Sequence, residues 1–318
     1  MTLIEKAAET DSCPVCSNHD RRTIYKKARD PITGDCFQVV ECSECGMVRT
    51  TPVPDCLDRY YPPRYRGYGP IVARVLSTLY KLRVSRWARR KPGGGSVLEI
   101  GCGSGLMLAA FRQCGWRVLG LERNEAVAEI GRRSLGVEIV SSPVEALPHD
   151  AQFDLIIMFQ VLEHIADPIG LLRACVKRLA PGGFLITNVP NFSSWQSKFA
   201  GAKWFHLDVP RHLNHFTPQT LDATLNRAGL SLTHLSFASL EHDPYGWVES
   251  TLNGLTRRAN TLTRFLMGLD PLGPAVLFTF ALGALLIPAA GLLSMVSWMA
   301  GRGALMEASA VVSVPARK

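Results

Sequence analysis

The chain has 318 residues, 47% of them hydrophobic and 19% charged, with a formal net charge of +8 at neutral pH. This composition is ordinary for a globular protein and is enough for one large domain plus small additions. The basic residues are dispersed apart from clusters at Arg83 to Lys91 and at Arg257, Arg258 and Arg264, and no aromatic-interleaved basic stripe is present, so nucleic acid is not an expected partner. The excess charge serves either solubility or attraction to an anionic membrane surface, and the apolar stretch described below favours the second.

Met1 to Thr10 contains Glu5, Lys6 and Glu9 and lacks an apolar core, so no secretory signal is read there and a cytoplasmic location is expected. The nine cysteines are an odd number, and Cys102, Cys114 and Cys175 sit in apolar segments, which suits a reducing compartment. Cys13-Pro14-Val15-Cys16 and Cys42-Ser43-Glu44-Cys45-Gly46 form two C-x-x-C knuckles around the strand-like Cys36 to Val40. Thiolates two residues apart can turn toward one cation, and two such pairs close a tetrahedron with no open position. Residues 1–51 therefore resemble a zinc ribbon with Cys13, Cys16, Cys42 and Cys45 as ligands of a structural zinc. A site that has lost its metal, or that uses Cys36 or Cys56, is the alternative. The expected role is structural or substrate-docking.

Residues 52–92 form a connecting region and a leading helix. Pro52 to Pro70, with Tyr60-Tyr61-Pro62-Pro63-Arg64-Tyr65-Arg66-Gly67-Tyr68, is an ordered crossover or a plain linker. Ile71 to Arg90 has apolar residues near helical spacing, and Lys91-Pro92-Gly93-Gly94-Gly95 stops that helix. It is expected to lead into the sheet and to cover one face of a cofactor.

From Ser96 strands and helices alternate, which predicts an α/β doubly wound parallel sheet. Strands are expected at Ser96 to Ile100, Arg117 to Leu121, Val137 to Val140, Phe153 to Phe159 and Phe184 to Val189. Helices are expected at Leu106 to Cys114, Asn124 to Leu135 and Pro168 to Leu179. Ligands in such sheets lie beyond the carboxyl ends of the strands. There, Val97-Leu98-Glu99-Ile100-Gly101-Cys102-Gly103-Ser104-Gly105 reads as strand, tight turn and helix start, suited to a nucleotide-like ligand. Glu122 ends the next apolar run, where a ribose-binding carboxylate is expected.

A dinucleotide fingerprint places its third glycine three positions after the second, whereas Gly103 is followed by Gly105. Glu99-x-Gly101-x-Gly103-x-Gly105 instead resembles the first motif of class I S-adenosylmethionine-dependent methyltransferases. Phe153-Asp154-Leu155-Ile156-Ile157-Met158-Phe159-Gln160-Val161-Leu162-Glu163-His164-Ile165-Ala166-Asp167-Pro168 and Arg178-Leu179-Ala180-Pro181-Gly182-Gly183-Phe184 resemble the branch that includes the ubiquinone-pathway O-methyltransferases. The resemblance covers about residues 96–238. It implies a seven-stranded Rossmann-like sheet and S-adenosylmethionine as cofactor, held by Glu99, Gly101, Cys102, Gly103, Gly105, Glu122, Phe159 and Gln160. Ser142-Pro143-Val144-Glu145-Ala146-Leu147-Pro148 resembles the adenine-binding segment, with Pro143 where an acidic residue usually stands, so that contact falls to Val144 or Glu145.

Methyl transfer from a sulfonium needs a base only when the acceptor is a hydroxyl that must lose its proton. His164 is the candidate, with Glu163 beside it; the competing reading is that the pair caps and braces the next helix. Trp204 to Pro218 holds His206, His212 and His215 in a spacing that suits no regular metal site, and it reads as a loop over the substrate ending at Thr217 as N-cap with Pro218 at the first helical position. Pro210-Arg211-His212 with His215-Phe216-Thr217 resembles a methyltransferase family associated with glycans and secondary products, which makes Arg211, His212 and His215 candidate substrate or base residues. Pinning of the loop by hydrogen bonds is the alternative for each.

The core is expected over residues 93–240, closed by a final strand in residues 305–318 at Ala308 to Val314, pairing antiparallel beside a sixth strand at Leu230 to Ala238. Residues 241–304 then form a helical insertion. Its part 271–301 carries no charge and reads as a membrane-associated segment. A hairpin bent at Pro288 that dips into one leaflet lets the last strand rejoin the sheet. Its rivals are a single crossing with a detached C-terminus and a buried helical pair without membrane. The combined expectation is an S-adenosylmethionine-dependent methyltransferase acting on a hydroxyl of a small-molecule, glycan or lipid-linked acceptor at the cytoplasmic membrane face, of undetermined oligomeric state. A catalytically silent module that recruits partners through its zinc ribbon is the alternative, and a dehydrogenase the third choice.

Overall fold

A computed structural model describes residues 12–61, 70–256 and 258–313. The expected crossover at Pro62 to Tyr68, Arg257 and the end of the last expected strand beyond Ser313 lie outside the described residues. The chain opens with β1 (Arg21–Arg29), β2 (Cys36–Cys42) and β3 (Val48–Thr51), then α1 (Pro70–Ala88). Alternation follows as expected: β4 (Ser96–Ile100), α2 (Leu106–Gln113), β5 (Arg117–Leu121), α3 (Glu125–Leu135), β6 (Ile139–Val140), β7 (Phe153–Phe159), α4 (Pro168–Val176) and β8 (Leu179–Pro190). After α5 (Trp195–Ala200) and β9 (Asn214–His215) come α6 (Pro218–Arg227), β10 (Leu230–Ser236), α7 (Asp243–Leu255), α8 (Thr261–Leu266), α9 (Pro274–Met299) and β11 (Leu305–Val312).

Local chemistry sets the helix ends. Asn124 precedes α3 and accepts from the N–H groups of Ala126 and Val127, while Gly136 closes the helix at φ +61°. Thr217 and Thr220 form a reciprocal capping box at α6, with Pro218 at its first position.

The large sheet has the order β10-β11-β8-β7-β4-β5-β6. Its central strands are parallel, and Leu98, Leu155, Ile156, Ile157, Leu185 and Ile186 have no exposed surface. This matches strands covered by helices on both faces. β11 lies antiparallel between β8 and β10, pairing Leu305 with Pro190 and Ala310 with Leu232. Ile100 is opposite both Leu121 and Met158. The turn after β4, Glu122 after β5, and Phe159-Gln160 at the end of β7 therefore emerge at one edge.

The second sheet has the order β1-β2-β3-β9. Its fourth strand comes from the histidine-rich segment, with Val48 opposite His215 and Arg49 opposite Asn214. The N-terminal segment is thus joined by strand pairing to the histidine-rich segment before α6.

Three expectations for the insertion are overturned. α9 is one continuous helix of 26 residues with Pro288 inside it, not a hairpin. A proline in a helix interior removes one backbone hydrogen bond, and here it lies on an exposed face where that loss is tolerated. The single crossing with a detached C-terminus fails because β11 is a sheet strand. The buried helical pair fails because most of α9 is exposed.

Candidate active site

The glycine turn follows from the backbone angles. Gly101, Gly103 and Gly105 have φ of +69°, +54° and +76°, a region that side chains with a Cβ rarely adopt. The Gly101 N–H donates to the Leu121 carbonyl at 2.7 Å, tying the turn to β5. A Cβ at Gly105 would stand 2.7 Å from Val137 Cγ2, whereas one at Gly103 would meet nothing within 4 Å. Gly105 is required by packing, and Gly103 faces open space.

Two carboxylates frame this space. Glu122 accepts from the Gly103 N–H at 2.9 Å and from the Asn124 N–H at 2.8 Å. Glu99, at the end of β4, is 5% exposed, and its Oε2 has no hydrogen-bond partner among the described residues. Burial, reinforced by the nearby negative charge of Glu122, pushes its carboxyl up to about 8. A buried acceptor beside an open glycine cradle and a second carboxylate fits a cationic ligand.

Val144 is buried at the start of a short 3-10 turn that also carries Glu145, whose side chain is exposed. Arg178 holds this turn from behind, donating to the carbonyls of Leu147 at 2.7 Å and of Pro148. Arg178 was not among the expected site residues, although its position immediately before β8 is a signal: it is a charged side chain, 6% exposed, between two apolar segments. Gln160 adopts φ +53°, and its N–H donates to the Asn188 carbonyl at 2.8 Å. Phe159 is covered by α1, with Tyr80 packed edge-on at 6.3 Å and the Arg83 guanidinium over its ring at 4.8 Å. Cys102, on the buried side of the turn, would be struck by a Cβ on Gly120 at 2.5 Å, so its thiol packs against β5.

The turn Leu162–His164 and the loop before β9 meet over this edge. His164 Nδ1 lies 2.8 Å from the Arg211 carbonyl oxygen and 3.2 Å from the Tyr61 hydroxyl. A carbonyl only accepts, so Nδ1 carries a proton, and in the neutral imidazole the lone pair is on Nε2. The same reasoning applies to His212, whose Nδ1 is 2.9 Å from the His206 carbonyl. Its Nε2 lies 3.9 Å from Glu163 Oε1 and 3.9 Å from Asp208 Oδ2. The His164 and His212 rings are 4.7 Å apart, and Glu163 is fully buried. One ligand atom each from Glu163, His164 and His212 lie within 4.8 Å of one another, close enough to hold a metal ion.

His215 and Arg211 stand differently. His215 Nε2 is 2.9 Å from the Thr50 hydroxyl of β3, and burial pushes its imidazole down to about 3, so it is neutral. Arg211 is 1% exposed and bonds Asp30, Asp208 and the Tyr60 carbonyl. Both side chains link the N-terminal segment to the loop. Asp208, which bonds Arg211 three residues on, and Tyr61, which reaches His164 across 103 positions, also belong to these networks and are not among the expected site residues.

The N-terminal knuckles are near copies of each other. Ser17 and Gly46, one residue past each pair, have φ of +63° and +73° and donate to the Cys13 and Cys42 carbonyls at 2.8 and 3.0 Å. This draws Cys13 Sγ to 3.4 Å from Cys45 Sγ, and Cys16 Sγ to 3.4 Å from Cys42 Sγ. All four sulfurs lie within 4.8 Å of one another, a donor set that fits tetrahedral zinc. Cys36 and Cys56 are exposed and outside the group, so they are not the alternative ligands.

A sequence profile described as a methyltransferase domain matches residues 72–235. The ubiquinone biosynthesis O-methyltransferase of Bordetella avium is 31% identical over 228 residues, spanning 66% of this chain and 91% of that protein. Its counterpart from Thiobacillus denitrificans is 29% identical over 166 residues, 48% of this chain and 72% of the relative. Among solved structures, an S-adenosylmethionine-dependent methyltransferase from Archaeoglobus fulgidus aligns with a TM-score of 0.46 at 20% identity, covering 74% of this chain and 93% of that one. With half of its length matched by the profile and a relative covered almost end to end, the chain belongs to the methyltransferase domain family and is an S-adenosylmethionine-dependent methyltransferase.

Proposed function

We propose that the protein methylates a hydroxyl oxygen on a small-molecule, glycan or lipid-linked acceptor at the cytoplasmic face of a membrane. Bound at the glycine turn, the cofactor supplies an activated methyl group on a positively charged sulfur. Glu99 offers the cationic end of the cofactor a buried carboxylate, Glu122 stands where the ribose hydroxyls are held, Gly103 gives the backbone close access, and Val144 with Glu145 and Phe159 with Gln160 flank the nucleoside. α1 excludes water from the Phe159 side through Tyr80 and Arg83. Zinc held by Cys13, Cys16, Cys42 and Cys45 supplies folding energy to the small ribbon, which is too small to bury enough apolar surface alone.

One observation carries the assignment of the base: the Arg211 carbonyl fixes the His164 proton on Nδ1, leaving Nε2 to accept. With an acceptor hydroxyl held before the cofactor's methyl group, His164 Nε2 would take the hydroxyl proton as that oxygen is methylated. Glu163 and His212 stabilise the protonated imidazole from the buried side. His215 is engaged with Thr50 and serves as a brace. His164→Gln is expected to reduce single-turnover methyl transfer about a hundredfold or more while leaving cofactor binding within twofold. Unchanged turnover overturns the assignment.

A second reading rests on the separation of the Glu163, His164 and His212 donor atoms: a divalent cation held there would bind the acceptor oxygen and favour its ionised form. Activity that survives exhaustive chelation while His164→Gln abolishes it selects the base; activity that needs added magnesium or manganese while the ribbon keeps its one zinc per chain selects the metal.

A further inference from the structure

α9 is built inside-out. Successive helical residues turn by about 100°, which places Val276, Thr279, Gly283, Ala290, Ser294 and Ser297 within an arc of roughly 60°. These are the buried residues of the helix, and most are small or carry hydroxyls. The hydroxyls of Thr279, Ser294 and Ser297 donate to carbonyls of α9 itself, so they need no outside partner. The large apolar side chains point the other way: Leu277, Phe278, Leu285, Ile287, Leu292 and Met299 are 56, 62, 76, 59, 58 and 82% exposed. With the remaining exposed apolar residues they span roughly 240° of the helix surface. A water-soluble surface helix shows the reverse arrangement, whereas small residues at helix contacts are the habit of helices surrounded by lipid.

The width of this face identifies its occupant. A packed protein neighbour occupies a stripe of about 100°, and a second copy of this chain would leave the rest of the arc in water. Acyl chains wrap the whole arc. No acidic residue occurs from Pro271 to Met306; Asp270, just before, is shared by Arg258 and Arg264, and exposed Arg302 follows the helix. Two arginines against one aspartate before the helix and an exposed arginine after it leave a net positive charge that complements an anionic lipid surface.

The backing of the helix fixes its orientation. Near one end, the Trp298 indole N–H donates to Asp243 at the start of α7 at 2.6 Å. In the middle, Gly283 is packed so closely that an added Cβ would lie 3.3 Å from Val248. Toward the other end, Phe280 meets Phe265 of α8 at 5.5 Å. Enzyme body lies behind α9 along its length, and both ends lead back into it. Only the outer face can enter lipid.

We infer that α9 is an in-plane, one-leaflet anchor, its axis parallel to the surface of an anionic lipid bilayer and its outer arc sunk among the acyl chains. This deepens the membrane-face reading above and rests on it. The anchor holds the carboxyl edge of the sheet at a fixed height above the lipid, which suits an acceptor that remains in the membrane.

The test uses the full chain with sealed vesicles of phosphatidylcholine with and without phosphatidylglycerol. Single Trp substitutions at Leu277, Leu285 and Leu292 report depth through quenching by lipids brominated at shallow or deep acyl positions. The expected result is co-sedimentation that strengthens with phosphatidylglycerol, extra quenching at one common shallow depth for all three positions, and at least a tenfold loss of vesicle binding in the double variant Leu285→Glu, Leu292→Glu with S-adenosylmethionine affinity unchanged. Depth that increases steadily from one position to the next means end-on insertion and overturns the in-plane anchor while leaving the membrane-face reading intact. Failure of the full chain to sediment overturns both. A concentration-dependent dimer that Leu285→Glu dissociates, without vesicle binding, replaces lipid by a second copy.

Discussion

The Arg211 guanidinium reaches the Asp30 carboxylate at 2.8 Å across 181 positions of chain, and neither side chain is more than 1% exposed. The same arginine also bonds Asp208 and the Tyr60 carbonyl. A buried ion pair of this kind is weak evidence for net stability, but removing one partner strands the other charge in the interior. Arg211→Met is therefore expected to lower unfolding stability by about 3–5 kcal/mol, and Arg211→Met with Asp30→Leu to recover part of that loss, because Asp208 stays without its arginine. Denaturant melts of the single and double variants check this. Equal stability of Arg211→Met and the unaltered chain would remove Arg211 from the joint between ribbon and loop.

Gly103 and Gly105 separate cofactor binding from folding. Gly105→Ala places a Cβ 2.7 Å from Val137 at a left-handed φ and is expected to destabilise by about 1–3 kcal/mol. Gly103→Ala also carries left-handed strain but adds its methyl to the open cradle, so its larger effect should fall on S-adenosylmethionine affinity, by about tenfold or 1.4 kcal/mol. Melting temperature and calorimetric titration on both variants give the comparison. The account fails here if Gly103→Ala binds as tightly as the unaltered protein.

Glu99 makes cofactor binding pH-dependent. Without ligand its carboxyl is pushed up to about 8 by burial and by Glu122, so near pH 7 it is mostly protonated. A cationic ligand favours the ionised form, and binding must then expel a proton. Affinity should rise as pH increases from about 6 and level off above about 8. Titration at pH 7 in buffers of different ionisation enthalpy should show net proton release, which Glu99→Gln abolishes. Release that persists in Glu99→Gln assigns the proton elsewhere.

Zinc in the ribbon should be felt at the histidine loop, because β3 pairs with β9. Removal of the metal by a strong chelator, or Cys42→Ser, is expected to lower the melting temperature and to increase hydrogen exchange at Arg211 to His215. Elemental analysis should give one zinc per chain. Unchanged exchange at that loop after metal removal would mean that the ribbon does not support it.

The alternation from Ser96 onward made the large sheet legible, including the antiparallel return near the C-terminus, because each strand and helix carries its own periodicity. Thr217-Pro218 and Asn124 announced their helices for the same local reason. What the sequence concealed is non-local. Nothing near Asn214-His215 marks them as a strand of the N-terminal sheet, and Thr50 meets His215 across 165 positions. Arg211 reads as a surface or substrate-binding cation until Asp30 is brought to it. Pro288 misled in the opposite direction: a proline within an apolar run suggests a bend into two arms, yet the helix runs unbroken through it, with Pro288 exposed and away from the buried stripe of Gly283 and Ser294. Among the candidate site residues, the glycine turn and Glu163-His164 sit where the strand ends predicted. His215 turned out to face the ribbon.

The most direct test of O-methylation at the membrane face is transfer from radiolabelled S-adenosylmethionine, with the purified chain added to membranes from cells that lack it. The account predicts label incorporated into a membrane-associated product, recovered as a methyl ether and lost with His164→Gln. Label fixed on nitrogen, on carbon or as a methyl ester, or transfer that His164→Gln leaves unchanged, would contradict it.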